Sequence, residues 1–126
     1  MGQAAKVQVT LASADTFDAL LAESPEVLTV VYFWGDNCPN CEVFARDLPQ
    51  LLEEVPAAAV RVLKVNAYEE PQIARRYAIF GIPGFVLFKG GKKLGMMRQY
   101  HGRKYWSAVV LEQAEGNAKP MIRALP

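Results

Sequence analysis

Cys38 and Cys41 are the only cysteines in this chain of 126 residues, and they stand three positions apart in Cys38-Pro39-Asn40-Cys41. Pro39 suits the first position of a helix, where a missing N–H costs nothing, so Cys38 falls at the helix mouth. The unpaired N–H groups and partial positive charge there stabilise a thiolate and lower its pKa from roughly 8.5. Cys38 is then a nucleophile near neutral pH. Cys41, about one turn on, can close a reversible disulfide with it. Half of a zinc site is the first alternative, but tetrahedral zinc needs four ligands, and the chain adds only His101 to the two sulfurs. A purely structural disulfide is the second, and one closing so short a loop would stabilise the fold only weakly. Redox chemistry is the reading that strand, turn, proline and spacing favour together.

The elements that must hold this pair can be read outward from it. Val27 to Trp34 is a run of β-branched and aromatic residues, the pattern of a strand covered on both faces, and Gly35-Asp36-Asn37 turns the chain after it. A helix is expected from Pro39 to about Glu54, with Phe44, Leu48, Leu51, Leu52 and Val55 on one face. Pro49 predicts a kink within it, because it removes a hydrogen bond and crowds the carbonyl of Ala45. Upstream, Lys6 to Leu11 alternates Val7, Val9 and Leu11 with polar residues, which predicts a half-buried strand. Ser13 or Asp15 is then positioned to cap a helix carrying Phe17, Leu20 and Leu21, and Ser24-Pro25 ends it.

Downstream, Val60 to Asn66 predicts a strand parallel to the central one, since a helix connects them. Glu69-Glu70-Pro71 opens a short helix carrying Ile73, Ala74 and Tyr77. After Gly81-Ile82-Pro83-Gly84 comes a strand from Phe85 to Lys89, then a Gly90-Gly91 hairpin turn and an antiparallel strand from Lys93 to about Tyr100. A last helix, Lys104 to Glu115, presents Trp106, Val109 and Val110. The order β-α-β-α-β-α-β-β-α gives an α/β fold, a mixed sheet with helices on both faces. One domain, residues 1–116, is expected, followed by a tail, 117–126, with two prolines and no clear period, expected to be partly disordered.

Composition sets bounds on function. The chain is 52% apolar and 21% charged, as in an ordinary globular protein, and its formal charge of +1 argues against nucleic acid or membrane partners. The N-terminus lacks the apolar run of a signal peptide, so a cytoplasmic location is expected. Thiols stay reduced there, which suits a catalytic or redox-responsive pair better than a staple. The basic hairpin region, with Lys89, Lys92, Lys93, Arg98, Arg103 and Lys104, reads as a solvated sheet edge, and His101 as an exposed strand-end residue.

Over residues 6 to about 115 the chain resembles the thioredoxin family. The resemblance is carried by Phe33-Trp34-Gly35 before Cys38-Pro39-Asn40-Cys41, by Lys64-Val65-Asn66, by Tyr77 with Gly81-Ile82-Pro83, and by Phe88-Lys89-Gly90-Gly91. It implies the thioredoxin fold and thiol–disulfide exchange, with Cys38 attacking and Cys41 resolving. It also implies a cis bond before Pro83, an Ile82 backbone that meets extended substrates, a Trp34 that lines the docking surface, and a Lys64 near the resolving cysteine. No cofactor beyond the Cys38–Cys41 couple is implied. Disulfide-containing proteins are the implied substrates of a monomer, with a thioredoxin reductase or a low-molecular-weight thiol as electron donor.

Two departures bear on mechanism. Many family members place an Asp or Glu six residues before the first cysteine to take the resolving thiol's proton, and here that residue is Tyr32. A phenol with a pKa near 10 is a poor base at pH 7, so slow turnover is expected, with Lys64 or water as the other proton acceptor. Pro39-Asn40 also differs from the Gly-Pro common in thioredoxins and is closer to glutaredoxins and the strongly oxidising DsbA-type proteins. The expected activity is chiefly reduction of protein disulfides. Its rivals are a disulfide oxidase or isomerase, and a redox-regulated binding module with little turnover.

Overall fold

The computed structural model describes residues 7–23 and 25–115. Nine elements follow the expected order. They are β1 (Gln8–Leu11), α1 (Phe17–Ala22), β2 (Leu28–Trp34), α2 (Pro39–Glu54), β3 (Val60–Asn66), α3 (Pro71–Arg76), β4 (Gly84–Lys89), β5 (Lys92–Met97) and α4 (Arg103–Ala114). The expected tail, 117–126, lies outside the described residues.

The five strands form one sheet in the order β1-β3-β2-β4-β5, with β1, β2 and β3 parallel and β4 and β5 antiparallel to their neighbours. Being central, β2 must be apolar on both sides, and its residues are buried up to Phe33, with Trp34 half-buried. Val30 and Tyr32 join a core with Phe44 and Leu51 of α2 and Trp106, Val109 and Val110 of α4. Val31 and Phe33 face the other way, onto Phe17 of α1 and Ile73 and Ala74 of α3. Helices thus cover both faces, as the alternation of side chains along a strand requires when each face is apolar. Gly90 and Gly91 take φ of 62° and 79°, the left-handed pair of a tight hairpin turn.

Three local expectations are corrected. Val7 is buried as expected, but Val9 and Leu11 are exposed rather than inward, at 38% and 68%, on a strand that forms one edge of the sheet. The cap position of α1 is held by Thr16, without a side-chain capping bond; the Ser13 carbonyl instead accepts the Phe17 N–H at 2.9 Å. β5 ends at Met97, so Tyr100 has left the sheet, and its hydroxyl donates to Asp47 of α2 at 2.6 Å. Helix α2 spans Pro39–Glu54 with Pro49 inside it, as expected. The basic hairpin is also less free than its sequence suggests, since Lys89 donates to the Ala114 carbonyl, Arg98 to the Ala78 carbonyl, and Arg103 pairs with Glu54.

Among the described residues Arg61 is the one charged side chain that is buried, 7% exposed. Its guanidinium donates to Thr29 Oγ1 at 2.9 Å and to the Leu21 carbonyl at 3.0 Å, which ties β3, β2 and the end of α1 together. Burial lowers its pKa, opposed by Glu23 and Glu26. Arg61→Leu keeps the apolar contacts but leaves those acceptors unpaired, which costs about 1–3 kcal/mol. A lower urea midpoint at unchanged m-value is the expected result.

Candidate active site

The site is built where β2 runs out. Asn37 adopts a left-handed φ of 57°, which an Asn side chain tolerates, and this turns the chain into α2. Cys38 is the N-cap and Pro39 follows at the first helical position. Cys38 Sγ accepts the Cys41 N–H at 3.1 Å, and the two residues, with Cα atoms 5.2 Å apart, are joined in a disulfide. The Cys41 N–H and the helix terminus turn their positive ends to the Cys38 sulfur, an arrangement of the kind that favours a thiolate over a thiol. Cys38 is 8% exposed and Cys41 4%, so the sulfur best placed for charge is also the more accessible one.

A second loop closes on this one because β4 runs antiparallel beside β2, pairing Gly84 with Phe33. The segment just before β4 must therefore arrive next to the segment just after β2. The Ile82–Pro83 bond is cis, and the Ile82 carbonyl oxygen lies 3.6 Å from Cys38 Sγ. A backbone acceptor and a reactive sulfur thus share one rim.

The thioredoxin family profile matches residues 8–111. The chain belongs to the thioredoxin family. It is 41% identical over 81 residues to the thioredoxin of Acidithiobacillus ferridurans, covering 64% of this chain and 72% of that one. It is 29% identical over 119 residues to glutaredoxin-3 of Mus musculus, covering 94% of this chain but 35% of that protein, so it spans about a third of that relative's length. A mutant thioredoxin from Halobacterium salinarum superposes with a TM-score of 0.73 at 18% identity, covering 99% of this chain and all (100%) of that one, a likeness of fold.

Three side chains that the family resemblance singles out have places of their own. Trp34 is half-buried and packed against the core, and its buried indole Nε1 has no hydrogen-bond partner among the described residues. Lys64 pairs across the strands with Tyr32, and its Nζ stands 4.6 Å over the Trp34 ring. The contact found for Lys64 is thus a cation–π pair with an aromatic face. Tyr32 is 3% exposed, its ring 4.6 Å from Phe44 and 5.5 Å from Phe85. Burial pushes its phenol up to about 12, so it holds its proton throughout the physiological range and is a still poorer base than its sequence position suggested.

The aromatic surroundings of Phe44 and the Tyr100–Asp47 bond escaped the sequence reading. Phe44, one turn beyond Cys41, packs against Tyr32, Phe85, Tyr100 and Trp106, with centroids 4.6–5.5 Å away. Its helical spacing marked it as core but could not show that the core there is aromatic. His101 is exposed, with its ring edge-on to Tyr105 at 5.5 Å. No group of His, Cys, Asp and Glu among the described residues is arranged to hold a metal. No helix among them is long and apolar enough to cross a membrane.

The buried phenols set a pH dependence. Tyr32 ionises at about 12 when folded and near 10 when unfolded, so the folded state keeps a proton that the unfolded state loses. Tyr100 is shifted the same way, first by burial and then by its bond to Asp47. Stability is therefore complete below about pH 10 and falls as pH rises towards 12, by up to about 1.4 kcal/mol per pH unit from Tyr32 and by less from the more exposed Tyr100. Urea unfolding of the oxidised protein at stepped pH checks this, and Tyr32→Phe should make the alkaline fall shallower.

Proposed function

We propose that the protein is a thiol–disulfide oxidoreductase that acts chiefly by reducing disulfides in other proteins. The observation that carries this reading is the placement of Cys38 Sγ at a helix N-terminus, within hydrogen-bond reach of the Cys41 N–H and beside the Ile82 carbonyl. The Cys38 thiolate attacks one sulfur of a substrate disulfide, forms a mixed disulfide and releases the other sulfur as a thiolate. Cys41, deprotonated, then attacks Cys38 Sγ, expels the second substrate thiolate and leaves Cys38–Cys41 oxidised. Two electrons pass to the substrate, and each departing thiolate takes a proton according to pH.

The substrate segment lies extended along the rim, with Ile82 and Pro83 beneath it and Trp34 at its side, in the manner of strand addition. A thioredoxin reductase or a low-molecular-weight thiol restores the dithiol. We place this activity in the cytoplasm, where reducing conditions favour the dithiol, and assign it to a monomer. Tyr32 takes no part as a base. The proton on Cys41 leaves through water or Lys64 in neutral form.

Pro39-Asn40 supports a second reading, disulfide oxidation or isomerisation, because the residues between the cysteines help set thiolate stability. The potential of the Cys38/Cys41 couple, titrated against a thiol buffer with mass detection, separates the two. A value near the roughly −270 mV of thioredoxin is expected, whereas one towards −120 mV would make the protein an oxidase. Cys38→Ser should abolish catalytic reduction of insulin, and Cys41→Ser should accumulate the mixed disulfide. Insulin reduction by the native protein no faster than by Cys38→Ser would leave a redox-regulated binding module instead.

A further inference from the structure

Ile82, whose carbonyl lies 3.6 Å from Cys38 Sγ, also lines a pocket of about 220 Å³, together with residues that include Tyr68, Arg75, Ile79 and Phe80. It is smaller than the roughly 300–1,000 Å³ of small-molecule sites, and its scale is that of a side chain. Ile79 is buried, whereas Tyr68 is 66% and Phe80 88% exposed. Two aromatic rings held in water around one pocket are an unusual outlay of apolar surface, because burying such a ring is worth about 1.5–3 kcal/mol.

The exposure of Phe80 is built in. α3 ends in a Schellman turn, with the Ile79 N–H donating to the Ala74 carbonyl at 2.8 Å and the Ala78 N–H to the Arg75 carbonyl at 3.1 Å. Ala78 takes the left-handed φ of 55° that this turn needs, and Arg98 binds its carbonyl at 3.2 Å. The turn drives Ile79 inward and leaves Phe80 pointing out. Tyr68 is held as well, since its N–H donates to Asn66 Oδ1 and its ring lies over Gly35, where a Cβ would come within 2.5 Å of it.

The charge is equally particular. Of the two arginines ending α3, Arg76 is engaged by Asp18 at 2.7 Å and by the rings of Phe17 and Tyr77. Arg75 lines the pocket, exposed, and forms no ion pair among the described residues.

We infer that Tyr68, Phe80 and Arg75 form a specificity subsite for the segment flanking a substrate disulfide, taking one bulky apolar side chain between the two rings and an adjacent carboxylate on Arg75. Ile82 joins this subsite to the reaction, because it lines the pocket and also places its carbonyl 3.6 Å from Cys38 Sγ. A partner engaged at the sulfur therefore has its neighbouring residues over the pocket. The inference rests on the oxidoreductase reading and adds to it a preferred substrate, an exposed disulfide in an acidic, apolar segment.

The test uses single-cysteine octapeptides carried as mixed disulfides with thionitrobenzoate. Reduced Cys38 attacks the peptide sulfur and releases thionitrobenzoate, the better leaving group; Cys41 then resolves the Cys38–peptide disulfide and frees the peptide thiol. Leu with Glu, Gly with Glu, or Leu with Lys is placed at the positions flanking the cysteine, and the second-order rate constant for a single turnover of the pre-reduced protein is compared as ratios between peptides on one protein. The native protein should prefer the Leu–Glu peptide over the Gly–Glu peptide by about tenfold or more, the scale of one apolar contact. Phe80→Ala and Tyr68→Ala should each shrink that ratio towards unity, and Arg75→Glu should invert the preference between Glu and Lys. Equal rates for all peptides on the native protein, or ratios unmoved by these substitutions, would overturn the subsite. Failure of the native protein to reduce even dithionitrobenzoate would instead overturn the oxidoreductase reading, and the subsite with it.

Discussion

Phe44 holds the first turns of α2 against the sheet, and the active site depends on that contact. Its ring is enclosed by Tyr32, Phe85, Tyr100 and Trp106, drawn from β2, β4, the segment after β5 and α4. Loss of a ring so enclosed costs about 3–5 kcal/mol in a typical core. Here it would also release the helix end that carries both sulfurs. The Tyr100–Asp47 bond fastens the same helix one turn further along. The distance from Cys38 Sγ to the Ile82 carbonyl is therefore a product of packing behind the site as much as of the two loops that meet there.

That packing decides what chemistry is available. A carboxylate at position 32 would stand among Phe44 and Phe85 and would need either a proton or a partner to be tolerated. Tyr32 meets the need for an apolar ring but gives up a base at neutral pH. The thiolate at Cys38 does not share this loss, because its stabilisation comes from backbone N–H groups at the helix end. In the proposed cycle, attack by Cys38 and proton loss from Cys41 thus draw on different parts of the structure, and the backbone N–H groups at the helix end serve the first.

Most of the fold was legible because its signals are local. The double-sided strand, the Pro-opened helix, the Gly-Gly hairpin and the order of elements all appear as expected. What was not legible depends on neighbours. Alternation identified the common side of Val7, Val9 and Leu11, but not that Val9 and Leu11 stay exposed at the edge of the sheet. The position of Lys64 was read from the family pattern, whereas the contact found for it is a ring on the adjacent strand. Tyr68 and Phe80 look like core residues by type, and only the turns around them reveal that they face water. The one available signal was their location, since bulky aromatics in connecting segments are out of keeping with the polar habit of loops.

The edge position of β1 also orders the molecule in time. β1 has four residues, pairs with β3 alone and leaves Val9 and Leu11 in water, whereas β2 is bonded on both sides and buried on both faces. Amide protection in such a sheet follows a hierarchy in which the sparsely packed edge opens through small fluctuations and the centre only with global unfolding. The disulfide hangs from the end of the central strand, so the redox chemistry is mounted on the most persistent unit of the fold. Fraying at the N-terminal strand can proceed without disturbing it.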